Sequence, residues 1–358
     1  VATYSNNKIW PTTTPVDLLS LPIISFKERI KLSFISVRLK FINNWKKFEN
    51  ITAYDWLSNQ VSENTFKIIF EPLLRGKFGK YYKQICMPWF WAKIQSRVSS
   101  RNKMFQEILC YPKSSFSFLI KSLENKIIEN GGYIYHNHIV TKVNVNNNKI
   151  KAIEYINDNK IKATENFDIV ISTTPYSILS KLVPFDKEIL TDMKKVDYMS
   201  AIVVILILKN PISKYYWLSI ADNEFPFLGI IEHTNLIPKE RYGGSNIIYI
   251  TNYVEANNDL LTLDYKSLMK IYLPFLKKIN TDFNMEYIED YKFNKINYAQ
   301  PIIPINYSSY KIPIKLPIKG LYSANTAQIY PEDRGTNYSV KLSETVTKLI
   351  QEDENGFT

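Results

Sequence analysis

The chain has 358 residues, 45% of them hydrophobic and 14% aromatic, which excludes a disordered polymer and leaves room for two domains with cores of their own. Its formal net charge of +11 suits nucleic acid, an anionic membrane surface or anionic ligands and selects none of them, and the Lys-, Asn- and Ile-rich composition is equally a mark of an AT-rich coding sequence. Cys86 and Cys110 form neither a pair motif nor a metal-ligand spacing, which excludes a disulfide framework and suits a reducing cytoplasm.

The opening VATYSNNKIWP carries neither an initiator Met nor a signal-peptide pattern, so the chain is expected to begin partway through a protein. From Pro22 to Asn50 the pattern is helical. Ser25 and Glu28 have capping-box spacing, and Ile30, Phe34, Val37, Phe41 and Trp45 share one face. The other faces are also rich in Leu, Ile and Lys, which predicts a helix wedged between other elements, with a membrane or an apolar ligand as the second choice. Thr52 and Asp55 signal another helix start, and helices are expected to continue to about Arg101.

A short helix carrying Leu119, Ile120, Leu123 and Ile127 lies between Ser114 and the stop at Gly131-Gly132. YIYHNHIVTKVNV, KIKAIEYI and KATENFDIVISTT follow as short β runs with Asn-rich turns. Strands return from Tyr198 to about Tyr253. They begin with the longest apolar run, Ala201 to Leu208, which is too short to span a bilayer and reads as a buried strand. A helix is expected over Tyr265 to Ile279, and the chain closes with strand GLYSA and helix SVKLSETVTKLI, whose apolar face holds Leu342, Val346, Leu349 and Ile350. The alternation predicts an α/β architecture.

The closing block carries the most chemistry. Gly320-Leu-Tyr-Ser-Ala-Asn325 leads through YPEDRGTNYSV into a helix. Gly335 lets the backbone approach a ligand, while Thr336 and Asn337 are placed to cap the helix and turn its amide groups outward. Such a helix start suits an anion or an electron-rich carbonyl, although a capped surface helix needs no ligand.

This block resembles the C-terminal flavin-contacting segment of the amine-oxidase and protoporphyrinogen-oxidase superfamily. TAYDWL with FEPLLRGKFGK, the GGYIYHNHIVTKV segment leading to DIVISTTP, and FLGIIEHTNL are similar to a bacterial branch of the same superfamily. The resemblance implies FAD as cofactor. Asn325 falls where many relatives have an acidic residue on the cofactor, and Arg334, Gly335, Thr336, Asn337 and Tyr338 match the flavin-facing helix start. Val140 corresponds to the backbone contact with adenine, and Thr173 and Thr174 lie on the adenosine and pyrophosphate side. The superfamily opens with a βαβ unit whose G-x-G-x-x-G turn holds the pyrophosphate; none of the ten glycines makes that motif, so the resemblance implies that this first unit is absent.

The implied fold is an FAD/NAD(P)-binding Rossmann-like domain built from discontinuous segments, residues 106–185 and 311–358, plus an α+β substrate domain from residues 1–105 and 186–310. The implied reaction is hydride transfer from an organic, apolar or ring-bearing small molecule to flavin. A flavin-dependent mutase or isomerase is the enzymatic alternative. A basic module binding nucleic acid or anionic membrane through Lys27, Arg29, Lys31, Arg38, Lys40, Lys46 and Lys47 is the non-enzymatic one. Those residues spread around their helix, which disfavours groove binding and a nucleic-acid partner and leaves peripheral membrane contact open beside a cytoplasmic location.

Candidates for catalysis are Glu232, His233 and Asn235, which follow a strand, with Lys77 in LRGKFGK as an anion binder; a buried structural histidine and a solvated lysine are the competing readings. His136 and His138 alternate as two metal ligands would, but one further His leaves no zinc set, and no metal is expected. No nucleophile elbow or phosphate-binding P-loop is present.

Overall fold

The computed structural model describes residues 1–12, 17, 24–100, 108 and 110–355. In chain order it has strands β1 (Ala2–Ser5) and β2 (Lys8–Pro11), then helices α1 (Phe26–Lys40), α2 (Ala53–Ser58), α3 (Glu71–Phe78), α4 (Met87–Ser99) and α5 (Ser115–Glu129). Strands β3 (Ile139–Asn146), β4 (Lys149–Ile156), β5 (Lys162–Asn166) and β6 (Val170–Ser172) come next, followed by helices α6 (Tyr176–Leu182) and α7 (Lys187–Lys194). Strands β7 (Tyr198–Leu208), β8 (Trp217–Ile220), β9 (Gly229–Glu232) and β10 (Asn246–Val254) precede helix α8 (Tyr265–Ile279). Strands β11 (Ile288–Pro301) and β12 (Leu321–Ser323) and helix α9 (Thr336–Asn355) complete it.

These elements form two compact units. The first comprises residues 1–107, 196–310 and the tetrapeptide Tyr330–Asp333; the second comprises residues 108–195, 311–329 and 334–358.

The first unit is built on a seven-stranded sheet in the order β11-β7-β10-β9-β8-β1-β2. All of its pairings are antiparallel except β1 with β8. The apolar run Ala201–Leu208, which completes β7, is buried on one face, because alternate residues serve one core: Ile202, Val204, Leu206 and Leu208 meet Ile248 and Ile250 of β10 and Leu268, Tyr272 and Leu276 of α8. Removing one such side chain, as in Leu206→Ala, falls in the class that costs about 2–5 kcal/mol. Helix α8 starts where Asp264 accepts the N–H of Ser267 at 2.8 Å. The opposite face of the sheet is only half-buried and carries Val203, Ile205, Ile207, Tyr249 and Tyr253.

Helix α1 departs from the sequence reading. Ser25 does accept the N–H of Glu28, at 3.4 Å, but the Glu28 carboxylate turns away from the cap to Lys31 (2.8 Å) and the backbone N–H of Ser62 (3.0 Å). The helix ends at Lys40, and Trp45 belongs to a separate 3-10 turn. Its packed stripe is Glu28, Ile35 and Leu39, whereas the anticipated Ile30, Phe34, Val37 and Phe41 are exposed. The helix carries two apolar stripes, and contact with α4 selects the one that periodicity did not favour: Gln95 donates to the carbonyls of Leu39 (2.8 Å) and Lys40 (3.0 Å). Residues 18–23, including the anticipated start at Pro22, and Arg101 lie outside the described residues. The Thr52 cap is as expected, with its hydroxyl accepting from Asp55 N at 2.9 Å.

The second unit contains an antiparallel sheet β3-β4-β5 and a parallel pair β6-β12, in register Val170↔Leu321, Ile171↔Tyr322 and Ser172↔Ser323. Tyr133 to His138, anticipated as strand, is irregular: Asn137 takes a positive φ and His138 Nδ1 meets the carbonyl oxygen of His136 at 2.7 Å. The two histidines therefore do not alternate on one strand face. Among the described residues no group of three or more His, Cys, Asp or Glu could hold a metal ion. Helix α5 has no buried residue, and its Leu119, Ile120, Leu123 and Ile127 are exposed. On α9 Val346 is buried while Leu342, Leu349 and Ile350 are half-buried, the face anticipated from the sequence. Its far end is tied by Asp353 to Tyr322 (2.5 Å) and to Lys315.

Cys86 is buried and Cys110 exposed, both as free thiols. No described helix is long and apolar enough to cross a membrane.

Candidate functional site

In the second unit the parallel pair β6-β12 sets the geometry. Ligands of parallel α/β sheets gather beyond the carboxyl ends of the strands, and here both strands end on serines, Ser172 and Ser323. Ser323 is fully buried, and its Oγ has no hydrogen-bond partner among the described residues. Two residues later Asn325 caps the turn Thr326–Gln328: its side chain accepts from Ala327 N at 2.9 Å, and its own N–H donates to Gln328 Oε1 at 2.9 Å. The Gln328 amide in turn donates to the carbonyls of Ile312 (3.2 Å) and Pro313 (3.1 Å). Asn325 Nδ2 donates to the Thr174 carbonyl at 3.3 Å. Two anticipated site residues, 151 positions apart, are thereby brought together. Asn325 supplies here a capping amide that a carboxylate could not fully replace, because a carboxylate has no N–H to give Thr174.

Thr174 is further held by Ser172, whose Oγ lies 2.8 Å from Thr174 Oγ1 and accepts its N–H at 3.4 Å. Thr173 is exposed. Val140 lies on β3 opposite Tyr155, where the register shifts.

Helix α9 opens with Gly335, whose carbonyl accepts the N–H of Ser339 at 3.0 Å. Thr336 and Asn337 are therefore its first helical residues and not its caps, a correction to the sequence reading, and Tyr338 follows in the same turn. Their N–H groups, with no acceptor inside the helix, form the positive end of its dipole. Gly335 is absent from the positive-φ residues, and a Cβ there would meet Asn337 Oδ1 at 2.9 Å. Its lack of a side chain makes room for Asn337. Arg334 and Gly335 are half-buried, and Thr336 and Asn337 are exposed.

The first unit holds the residues proposed for catalysis, and it does not bring Lys77 to Glu232 and His233. Lys77 is neither a solvated lysine nor in a loop: it sits in the last turn of α3 and pairs with Asp333. Lys93 of α4 reaches the same carboxylate oxygen at 2.5 Å, and Gln300 donates to the other at 3.3 Å. Both ammonium groups also stand over the Trp89 ring, 5.2 and 5.8 Å from its centroid. Burial pushes the Asp333 carboxyl up, but Lys77 and Lys93 outweigh it and hold the group well below the usual carboxylate range. Asp333 and Lys93 were missed from the sequence. The available signal was the spacing of Trp89 and Lys93, one helical turn apart on one face.

Glu232 is 0% exposed, and its two oxygens accept the backbone N–H groups of Ile212 (3.0 Å) and Ser213 (2.7 Å). It is the last residue of β9 and lies on its core side, in register with Ile248, so it fastens a loop and does not face a pocket. Burial pushes its carboxyl up against those two amides.

His233 is buried, with Nε2 2.6 Å from the Tyr242 hydroxyl and its ring edge-on to Tyr249. Burial lowers its pKa, because the charged form is the one penalised. The sign follows: stability is fully present above the unfolded value of about 6.5 and is lost as pH falls through the lower folded value. Melting temperature is expected to drop between about pH 7 and pH 5 in the wild type, and less steeply in His233→Gln. Parallel melting curves for the two proteins would remove His233 as the source.

No family model matches the sequence, and no curated protein matches it. The fold, in contrast, is shared with solved structures. An oxidoreductase from Methanosarcina mazei is 18% identical, with 87% of this chain and 69% of that chain covered at a TM-score of 0.65. A protein from Exiguobacterium sp., provisionally described as a protoporphyrinogen oxidase, is 14% identical, with 92% and 73% covered at 0.67. A putrescine oxidase variant is 10% identical, with 98% and 80% covered at 0.67. A UDP-galactopyranose mutase in its reduced form is 12% identical, with 85% and 68% covered at 0.59. The chain thus has a mixed α/β fold of a kind found in oxidoreductases and in a mutase.

Proposed function

We propose that the protein is an FAD-dependent oxidoreductase that takes a hydride from an apolar or ring-bearing organic molecule. The observation that carries the reading is the coincidence of two independent likenesses. The fold is that of solved oxidoreductases over 87–98% of the chain, and the strand-loop-helix from Gly320 to Tyr338 resembles a flavin-contacting segment.

The residues fit the pyrimidine end of a flavin. The first-turn amides of α9 at Thr336, Asn337 and Tyr338 offer a positive dipole end to the charge that a reduced flavin bears. The unpartnered Ser323 Oγ lies at the carboxyl end of a parallel strand, where such sheets bind ligands. Asn325 and Thr174 fix each other and so hold the loops that follow both strands. Val140 and Thr173 belong to the adenosine side in this reading. FAD, when bound, supplies the two-electron acceptor, and the protein supplies orientation and a dry surface. His233 is retained as a proton carrier only through its Tyr242 partner; Lys77 and Glu232 are structural. The glycine-rich pyrophosphate turn is not in the sequence.

The test is the absorbance spectrum of the protein produced from its complete reading frame. Flavin bands near about 375 and 450 nm that bleach under a candidate reductant are expected. A colourless protein that also refuses added FAD sinks the proposal. The likeness to the mutase favours a second reading, in which flavin cycles without net oxidation. A product with the redox state of its substrate would select it.

A further inference from the structure

Helix α1 presents two apolar stripes, and only one of them is packed. At about 100° per residue, Phe26, Ile30, Phe34, Val37 and Phe41 fall within an arc of roughly 80°. All five are exposed, Phe34 to 66% and Phe41 to 72%. The packed residues Glu28, Ile35 and Leu39 occupy nearly the opposite side. A contiguous stripe of this size on a soluble surface marks a contact site.

Its borders define the partner. Lys27, Lys31 and Arg38 line one edge of the stripe, Arg38 also reaching Gln60 Oε1 at 3.3 Å, and Lys40 lines the other beside a half-buried Arg29 whose Nε donates to the Ile24 carbonyl at 3.0 Å. The sole acid of the helix, Glu28, lies on the packed side and is already paired with Lys31 and bonded to Ser62 N. Lys46 and Lys47, also exposed, follow in the next turn. An apolar ridge with three phenylalanines, flanked on both sides by long basic side chains, matches the interface of an anionic bilayer: the rings enter the acyl boundary while the cations stay at the lipid phosphates. A second copy of the chain fits poorly, because a two-fold contact would set basic borders against basic borders.

We infer that α1 docks the protein on an anionic membrane surface, with Phe26, Ile30, Phe34, Val37 and Phe41 inserted and the flanking Lys and Arg residues on the headgroups. The inference is independent of the flavin reading and stands or falls without it.

Flotation with phosphatidylcholine vesicles, with and without phosphatidylglycerol, tests it. The wild type is expected to float with the anionic vesicles and to be released by salt. Phe34→Glu with Phe41→Glu, at two exposed sites, is expected to fold as the wild type does by circular dichroism and to lower partitioning by about tenfold or more per side chain. Lys27→Glu with Lys40→Glu is expected to weaken binding about fivefold per charge, and on anionic vesicles alone. A folded wild type that ignores the anionic vesicles overturns the inference, and so does a Phe34→Glu, Phe41→Glu protein that binds as well as wild type. Light scattering supplies the remaining arm: a dimer dissolved by Phe34→Glu, without vesicle binding, assigns the stripe to self-association and overturns the membrane.

Discussion

Replacing Asp333 by Ala is expected to destabilise the first unit by about 3–5 kcal/mol, the range for breaking a buried charge network from one side. The Asp333 side chain is only 10% exposed and is the counter-ion of both Lys77 and Lys93. Its removal leaves two ammonium groups on one site over the Trp89 ring, with no carboxylate between them. Lys93→Met is expected to cost much less, because that side chain is 37% exposed and water screens its share of the pair. Denaturant titration of the two variants checks the asymmetry, and equal losses would refute it. The pH dependence has a definite sign. A carboxyl held below its unfolded value of about 3.9 contributes fully above that value and loses its contribution only as pH falls through the folded one. The gap between wild type and Asp333→Asn is therefore expected to be flat from about pH 7 to pH 5 and to close only below about pH 4.

This network shows why part of the site was hidden in the sequence. Lys77 and Asp333 are 256 positions apart, and nothing local to either announces the other. What is local was legible. The cap at Thr52 follows from a side-chain oxygen three residues ahead of a helical N–H. Strand β7 follows from an apolar run too short for a membrane, and the inward face of α9 from the spacing of Leu342, Val346 and Leu349. Periodicity failed on α1, where two stripes compete and only the position of α4 decides between them. It failed also at His136 and His138, where the positive φ of Asn137 breaks the alternation that a strand would impose. Glu232 looked like a catalytic acid beside His233 because neighbouring residues of a chain read as neighbours in space. Glu232 ends β9 while His233 opens a 3-10 turn, and Glu232 turned to the loop amides of Ile212 and Ser213.

Gly320→Ala is expected to be the most damaging single change in the second unit, at about 3 kcal/mol or more. Gly320 adopts φ +82°, which costs an alanine about 1–2 kcal/mol on its own. A Cβ there would also stand inside the contact radius of the Asp168 carbonyl oxygen, a backbone atom that cannot swing aside. Gly243→Ala is the matched control: its φ is +68°, but nothing lies within 4 Å of the added carbon, so only the backbone penalty of about 1–2 kcal/mol is expected. The clash at Gly320 falls where its carbonyl accepts the N–H of Val170 at 2.8 Å and starts the β6-β12 pairing. Amide exchange over Val170–Ser172 and Leu321–Ser323 is therefore expected to accelerate in Gly320→Ala and to stay slow in Gly243→Ala. Since those strands deliver Ser323, Thr174 and Asn325 to one place, the proposed flavin site adds a consequence: Gly320→Ala releases FAD before the first unit melts. Fast exchange with FAD retained would mean that the parallel pair does not hold the cofactor; slow exchange would mean that the glycine does not hold the pair.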